Sequence, residues 1–399
     1  MRPHALTRLL GAVLGSLLAA GTAPATAQTW QKVENLAPVI GADGKPHQAA
    51  CSGFPGTDPR FAFWVRRTAS KNLAVYFEGG GACWDNLTCS FPITGRSEPV
   101  PQFFVPMVAG GPQSLDGIFR TDNPANPVRD WNMVYIPYCT GDIHIGSAER
   151  TYTSLGHPTL PNPAGETFTI QHRGFDNFMV VLDWMKRNFK DPKNVLVTGA
   201  SAGGYGATAN SPWVGKTFRK AHLYVLADAS QGVSTPGFDT GNPGRLSWNP
   251  QLAPWVFDPA SPPPGGQLMR KAAQGQPHAK VAQFTTSFDE VQIEFYGVMK
   301  QFYGPGGSCP NPIVDWYQQM SRQLVADAHQ VDNFRFYLAG GTYHTLLRSP
   351  AFYTENSAGP SFAEWMTRML GNRGGTGGHG GRFDNVACPG CLVDLPCAP

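Results

Sequence analysis

Beyond its first few dozen residues the chain has no apolar run long enough to cross a bilayer, and this excludes a later membrane span. It has no excess of one charge: without Arg2 and Arg8, 29 basic residues face 28 acidic ones. That balance and the lack of a basic stripe exclude nucleic acid as an obvious partner. No internal repeat is visible, so a solenoid is excluded. A second Cys-x-x-Cys pair to match Cys388 and Cys391 is also missing, and no thioredoxin-like context surrounds them. This disfavours a zinc site or redox motif and leaves structural bridging. The residues call for no cofactor and no metal.

What is present begins with an export signal. Arg2 and Arg8 precede an apolar run from Leu9 to Ala20 and small residues ending Ala25-Thr26-Ala27, the layout of a cleavable leader. The expected mature chain begins near Gln28 and is secreted or periplasmic. Eight cysteines then read as disulfides, although their pairing is open from sequence alone. We expect three parts: a signal peptide over 1–27, a catalytic domain over 28–370, and a glycine-rich connector with a stapled tail over 371–399. His379 in the connector reads as solvated.

Apolar runs alternate with helical patterns. The runs lie at 72–81, 131–142, 194–200, 222–230, 280–290 and 334–344. Between 172 and 189, Phe175, Phe178, Leu182, Met185 and Phe189 recur at helical steps. Such alternation predicts an α/β fold with a mainly parallel sheet flanked by helices, and functional residues at the carboxyl ends of strands. The long Pro- and Gly-rich segments 92–130 and 230–266 read as loops, and Trp248, Trp255 and Phe257 make the second a packed lid.

The segment "NVLVTGASAGGYGATAN" (194–210) admits two chemistries. It nearly matches the glycine fingerprint of short-chain dehydrogenases, and Tyr296 and Lys300 have that family's spacing. Tyr205, however, occupies the position where the last glycine is needed, and the motif falls in mid-chain. Tyr296 and Lys300 then read as one helical turn, with Tyr296 packed and Lys300 solvated. The other reading is Gly-x-Ser-x-Gly over Gly199, Ser201 and Gly203. In this strand-to-helix elbow a serine is exposed and its neighbours must be small. Ala200, Ala202, Gly203 and Gly204 meet that need.

An elbow requires a base and an acid in the order Ser, Asp, His. His344 closes the 334–344 run, whereas His222, His278 and His329 read as surface residues. Asp228 and Asp289 both close strands; Asp289 is favoured, with Asp228 as a buried structural carboxylate. Amides near Gly79, Gly80 and Gly81, with that of Ala202, are placed to form an oxyanion site.

These motifs, "YFEGGGACWDNLTC", "WNMVYIPYCTGD", "GASAGG", "TTSFDEVQI" and "GGTYHT", resemble in order and spacing the pectin acetylesterase family, which includes the Notum lipid carboxylesterases. The resemblance runs from about Cys51 to His344. It implies an α/β-hydrolase fold and a serine carboxylesterase with Ser201 as nucleophile, His344 as base and Asp289 as acid. It also implies oxyanion groups at Gly80, Gly81 and Ala202. Disulfides Cys51–Cys139 and Cys83–Cys89 follow from it, leaving Cys309, Cys388, Cys391 and Cys397 to pair among themselves. The expected substrate is an acetylated polysaccharide such as pectin, handled by a monomer. A lipid esterase or polyester depolymerase on the same triad is the alternative, and a non-catalytic carbohydrate-binding relic a remote one. Where the family has Trp directly after its glycines, this chain has Gly81 and Ala82 before Trp84, which bears on acyl preference.

Overall fold

The computed structural model describes residues 29–94, 101–371 and 382–397. The segment read as an export signal and most of the glycine-rich connector, including His379, lie outside them. No helix among the described residues is long and apolar enough to cross a membrane.

Nine strands form the central sheet: β1 (Trp30–Val33), β2 (Phe63–Arg66), β3 (Asn72–Phe77), β4 (Asn132–Ile136), β5 (Asn194–Ala200), β6 (His222–Asp228), β7 (Lys280–Thr286), β8 (Phe334–Ala339) and β9 (Val386–Ala387). Their spatial order is β1-β2-β4-β3-β5-β6-β7-β8-β9. The pairs β1–β2 and β2–β4 are antiparallel and the rest parallel, as the sequence predicts for the body of the sheet.

The apolar runs become strands because both faces of the sheet are covered. Val75, Val197, Val225 and Val281 are paired in one row across β3, β5, β6 and β7, all fully buried. That face packs against helices α1 (Gly174–Asn188), α2 (Ala202–Thr217) and α4 (Pro312–Gln330). The alternate residues Tyr76, Leu196, Leu226 and Ala282 point the other way, toward α5 (Phe362–Met369). Each of these buried Val and Leu side chains contributes about 1.5–3 kcal/mol. Helix α3 (Glu290–Phe302) follows β7 at the carboxyl end.

Several expectations are corrected. Lys300 is not solvated: it is mostly buried, pairs with Asp315 and donates to the Cys309 carbonyl, while Tyr296 is fully buried as expected. In the loop 230–266, Trp248 and Phe257 are buried, but Trp255 is 44 % exposed and leans on Trp213 beneath Lys216. His344 does not end a strand; it lies five residues beyond β8. Nor is the tail a mere appendage, since its residues Val386–Ala387 pair with Tyr337 and Leu338.

The structure pairs Cys51 with Cys139 and Cys83 with Cys89. The other four join as Cys309–Cys397 and Cys388–Cys391, so one bridge ties the tail to the α3–α4 connection.

Candidate active site

Strand β5 ends at Ala200 and α2 starts at Ala202, leaving Ser201 alone at the corner with φ 58 and ψ −128. Few non-glycine residues adopt that conformation, and it persists only where its surroundings impose it. Here the Ser201 N–H donates to the Asp228 carbonyl at 2.8 Å, and the Ser230 hydroxyl donates to the Ser201 carbonyl at 2.7 Å. The close strand-to-helix approach explains the small neighbours: a Cβ on Gly203 would lie 2.0 Å from the Phe77 carbonyl oxygen.

His344 is oriented by the favoured acid. Its Nδ1 is 2.8 and 2.9 Å from the two Asp289 oxygens, and Asp289 is fully buried. A carboxylate accepts, so the network assigns the proton to Nδ1 and leaves Nε2 as the basic atom. Nε2 is buried and has no hydrogen-bond partner among the described residues. His344 and Ser201 line the same two cavities. Asp289 also caps α3, accepting from the Gln292 N–H at 3.0 Å, and Gln292 Nε2 donates to its other oxygen at 2.9 Å. Gln292 had no place in the sequence reading, although the Asp-x-x-Gln spacing of a capping box was there to be seen.

Asp228, the other candidate acid, does not meet the imidazole through a hydrogen bond. Its Oδ2 accepts from the N–H groups of Leu346 and Leu347 at 2.7 and 2.8 Å, and Oδ1 is buried without a partner. Burial pushes its carboxyl up to about 6, against the pull of those two N–H groups. It thus anchors the segment that follows His344. The histidines set aside, His222, His278 and His329, are exposed.

The glycine loop lies beside the serine. Gly81 has φ +72, and a Cβ there would sit 1.9 Å from the Phe103 carbonyl oxygen, so only glycine fits. In the bridge between Gly81 and Phe104 the hydrogen bonds come from the flanking residues, Ala82 to Phe103 and Val105 to Gly80. The N–H groups of Gly80, Gly81 and Ala202 donate to no described residue, which leaves three donors around the site. Glu78, just upstream, is 3.5 Å from Arg348 and is held above the usual carboxylate range by burial.

Two cavities meet at Ser201. The inner one, about 90 Å³, is walled by Trp84, Phe238, Trp248 and Phe295. The outer one, about 410 Å³, is edged by Glu78, Gln102, Glu294 and Arg348. The first suits an apolar group and the second a hydroxylated one. Cys83, Cys89 and His172 cluster as metal ligands might, but the sulfurs are spent in a bridge. His172 is engaged at both nitrogens, by the Thr140 carbonyl and the Tyr152 hydroxyl.

Comparison with known proteins gives a consistent result. A family model described as Pectinacetylesterase matches residues 43–238, a span that includes the glycine loop and Ser201 and ends before Asp289. A palmitoleoyl-protein carboxylesterase NOTUM from Schmidtea mediterranea is 24% identical over 205 residues, 46% of this chain and 35% of that protein. Pectin acetylesterase 7 from Arabidopsis thaliana is 28% identical over 141 residues, 34% of this chain and 31% of that protein. The chain thus spans about a third of the length of these curated relatives. The solved structure of the Wnt deacylase Notum from Drosophila superposes with a TM-score of 0.52 at 17% identity. It covers 84% of this chain and 92% of that one, a likeness of fold.

Proposed function

Because the chain belongs to the pectin acetylesterase and Notum-like family, on an α/β-hydrolase fold, we propose that it hydrolyses carboxylic esters through Ser201, His344 and Asp289. The observation that carries the reading is the imidazole: Nδ1 is fixed on Asp289, and Nε2 is an unpaired base beside a serine in a strained turn.

In this mechanism His344 Nε2 takes the Ser201 proton as Oγ attacks the ester carbonyl. The amides of Gly80, Gly81 and Ala202 hold the oxyanion, and Asp289 stabilises the imidazolium. His344 returns the proton to the departing alcohol. Water, deprotonated by the same nitrogen, then releases the acid from Ser201.

The substrate we favour is an acetylated polysaccharide such as pectin, met outside the cytoplasm. The polar side chains Glu78, Gln102, Glu294 and Arg348 at the outer cleft support a hydroxylated alcohol side, and four disulfides support an oxidising compartment. A second reading, cleavage of longer acyl or polyester chains, is favoured by the aromatic inner cavity. A chain-length series of nitrophenyl esters, run beside acetate release from acetylated pectin and xylan, separates them. Ser201→Ala should abolish turnover in every arm while the melt is kept, and near-normal turnover by that variant would sink the triad.

A further inference from the structure

The inner cavity has one polar wall that ester hydrolysis does not use. Arg245 lines it from a short 3-10 turn, Arg245–Trp248, within the 230–266 loop, and the residue is only 6% exposed. Its nearest counter-charge, Asp239 Oδ1, is 3.5 Å from Nε, too long for a hydrogen bond. Asp239 is engaged elsewhere: it accepts from the Ser234 hydroxyl at 2.6 Å and from the Gly265 N–H at 3.1 Å. Among the described residues no acceptor takes a hydrogen bond from the Arg245 guanidinium, and its Nε is buried outright. Burial holds this arginine below its ordinary pKa and Asp239 above its own.

An arginine nine-tenths buried whose Nε–H has no acceptor, and whose Nη donors hydrogen-bond to no described residue, leaves those donors to whatever occupies the cavity. The cavity it lines is walled largely by apolar side chains such as Phe238, Trp248 and Leu268, which offer nothing to accept from it. A plain alkyl chain in this cavity would strip water from the guanidinium and return no hydrogen bond. An oxygen on the ligand would supply the missing acceptor.

Resting on the esterase reading above, we propose that Arg245 selects acyl groups bearing a neutral oxygen acceptor, a carbonyl or hydroxyl remote from the scissile ester. Asp239 decides for a neutral group. Its charge already balances Arg245, and a ligand carboxylate would sit against a second carboxylate. Oxo-acyl, hydroxyacyl and oligoester chains share the required chemistry. The arrangement follows the general asymmetry of specificity, in which a site built to hydrogen-bond a substrate rejects the analogue that lacks the partner.

The test compares nitrophenyl pentanoate, levulinate and succinate half-ester on the whole protein. Levulinate should exceed pentanoate in kcat/KM by roughly tenfold, with most of the difference in KM, and succinate should gain nothing. Arg245→Met should bring levulinate and pentanoate to within about twofold of each other. The double variant Arg245→Met/Asp239→Asn, which leaves no lone buried charge, should do the same while keeping a cooperative melt. Equal wild-type rates on levulinate and pentanoate, a preference for succinate, or a preference that survives in the double variant would each overturn the proposal. Failure to hydrolyse any of the three esters would overturn the esterase reading and this one with it.

Discussion

Replacing Asp289 by Asn separates catalysis from stability. Asp289 receives His344 Nδ1 at 2.8 and 2.9 Å and Gln292 through two further donors, so all its acceptor capacity is used. Asn can still cap α3 through its oxygen. It also puts an NH₂ where a second acceptor is needed, and the imidazole settles in the wrong tautomer with Nε2 protonated. The expected fall in kcat is roughly 10⁴-fold, equivalent to about 5 kcal/mol of transition-state stabilisation. The stability lost is about 1–3 kcal/mol, a few degrees in Tm, because one buried hydrogen bond is spoiled and the cap survives. Asp228→Asn is the control: an amide oxygen still accepts from Leu346 and Leu347, and its NH₂ replaces an oxygen without a partner. That variant should keep kcat within about tenfold. Initial rates on a nitrophenyl ester and thermal melts of all three proteins decide the matter. Near-normal kcat in Asp289→Asn, or the large fall appearing in Asp228→Asn instead, refutes the assignment of the acid.

Three further outcomes are expected. Gly81→Ala forces a Cβ against the Phe103 carbonyl at positive φ and should cost at least about 2 kcal/mol in denaturant melts, with loss of turnover; a neutral effect would contradict the loop geometry. Asp142 is fully buried and its carboxyl is pushed up to about 6, so between about pH 4 and 6 the native state holds a proton that the unfolded chain has released. Stability therefore falls as pH rises through that window, by at most about 3 kcal/mol, and Asp142→Asn should gain on the wild type from pH 4.5 to pH 7; a pH-independent gap between their denaturation midpoints would refute this. Reduction of Cys51–Cys139, which closes a separation of 88 residues, should remove roughly 4–5 kcal/mol, and an unchanged melt in strong reductant would deny these bridges a structural role.

The central strands were legible because each is buried on both faces and reads as a short apolar run between turns. The elbow was legible because its packing forbids any Cβ at Gly203. The hairpin of Ala148–Thr153 with Thr167–His172 was not, since Glu149, Arg150 and Thr151 interrupt every apolar run and only Tyr152 and its like face inward. Nor was the ninth strand, at two residues too short to carry a pattern. Lys300 misleads because a lone charge in sequence reads as surface, and only the fold brings Asp315 to it. The choice between Asp228 and Asp289 likewise lay beyond sequence patterning, because both close apolar runs and both are buried, although Asp228 ends its strand while Asp289 lies three residues past Thr286 as the cap of α3. The resemblance favoured Asp289, and in the structure that residue meets Nδ1.

The short strand β9 has a consequence for how this protein is handled. It covers the outer edge of β8, where Leu338 would otherwise present a bare carbonyl to solvent, and it is retained by Cys309–Cys397 and by the Tyr317 hydroxyl on the Val393 carbonyl. An uncovered strand edge is a template for another chain. Clipping the glycine connector in protein whose bridges have also been reduced would therefore free that template, and the visible symptom would be precipitation of molecules whose Ser201 site was still intact.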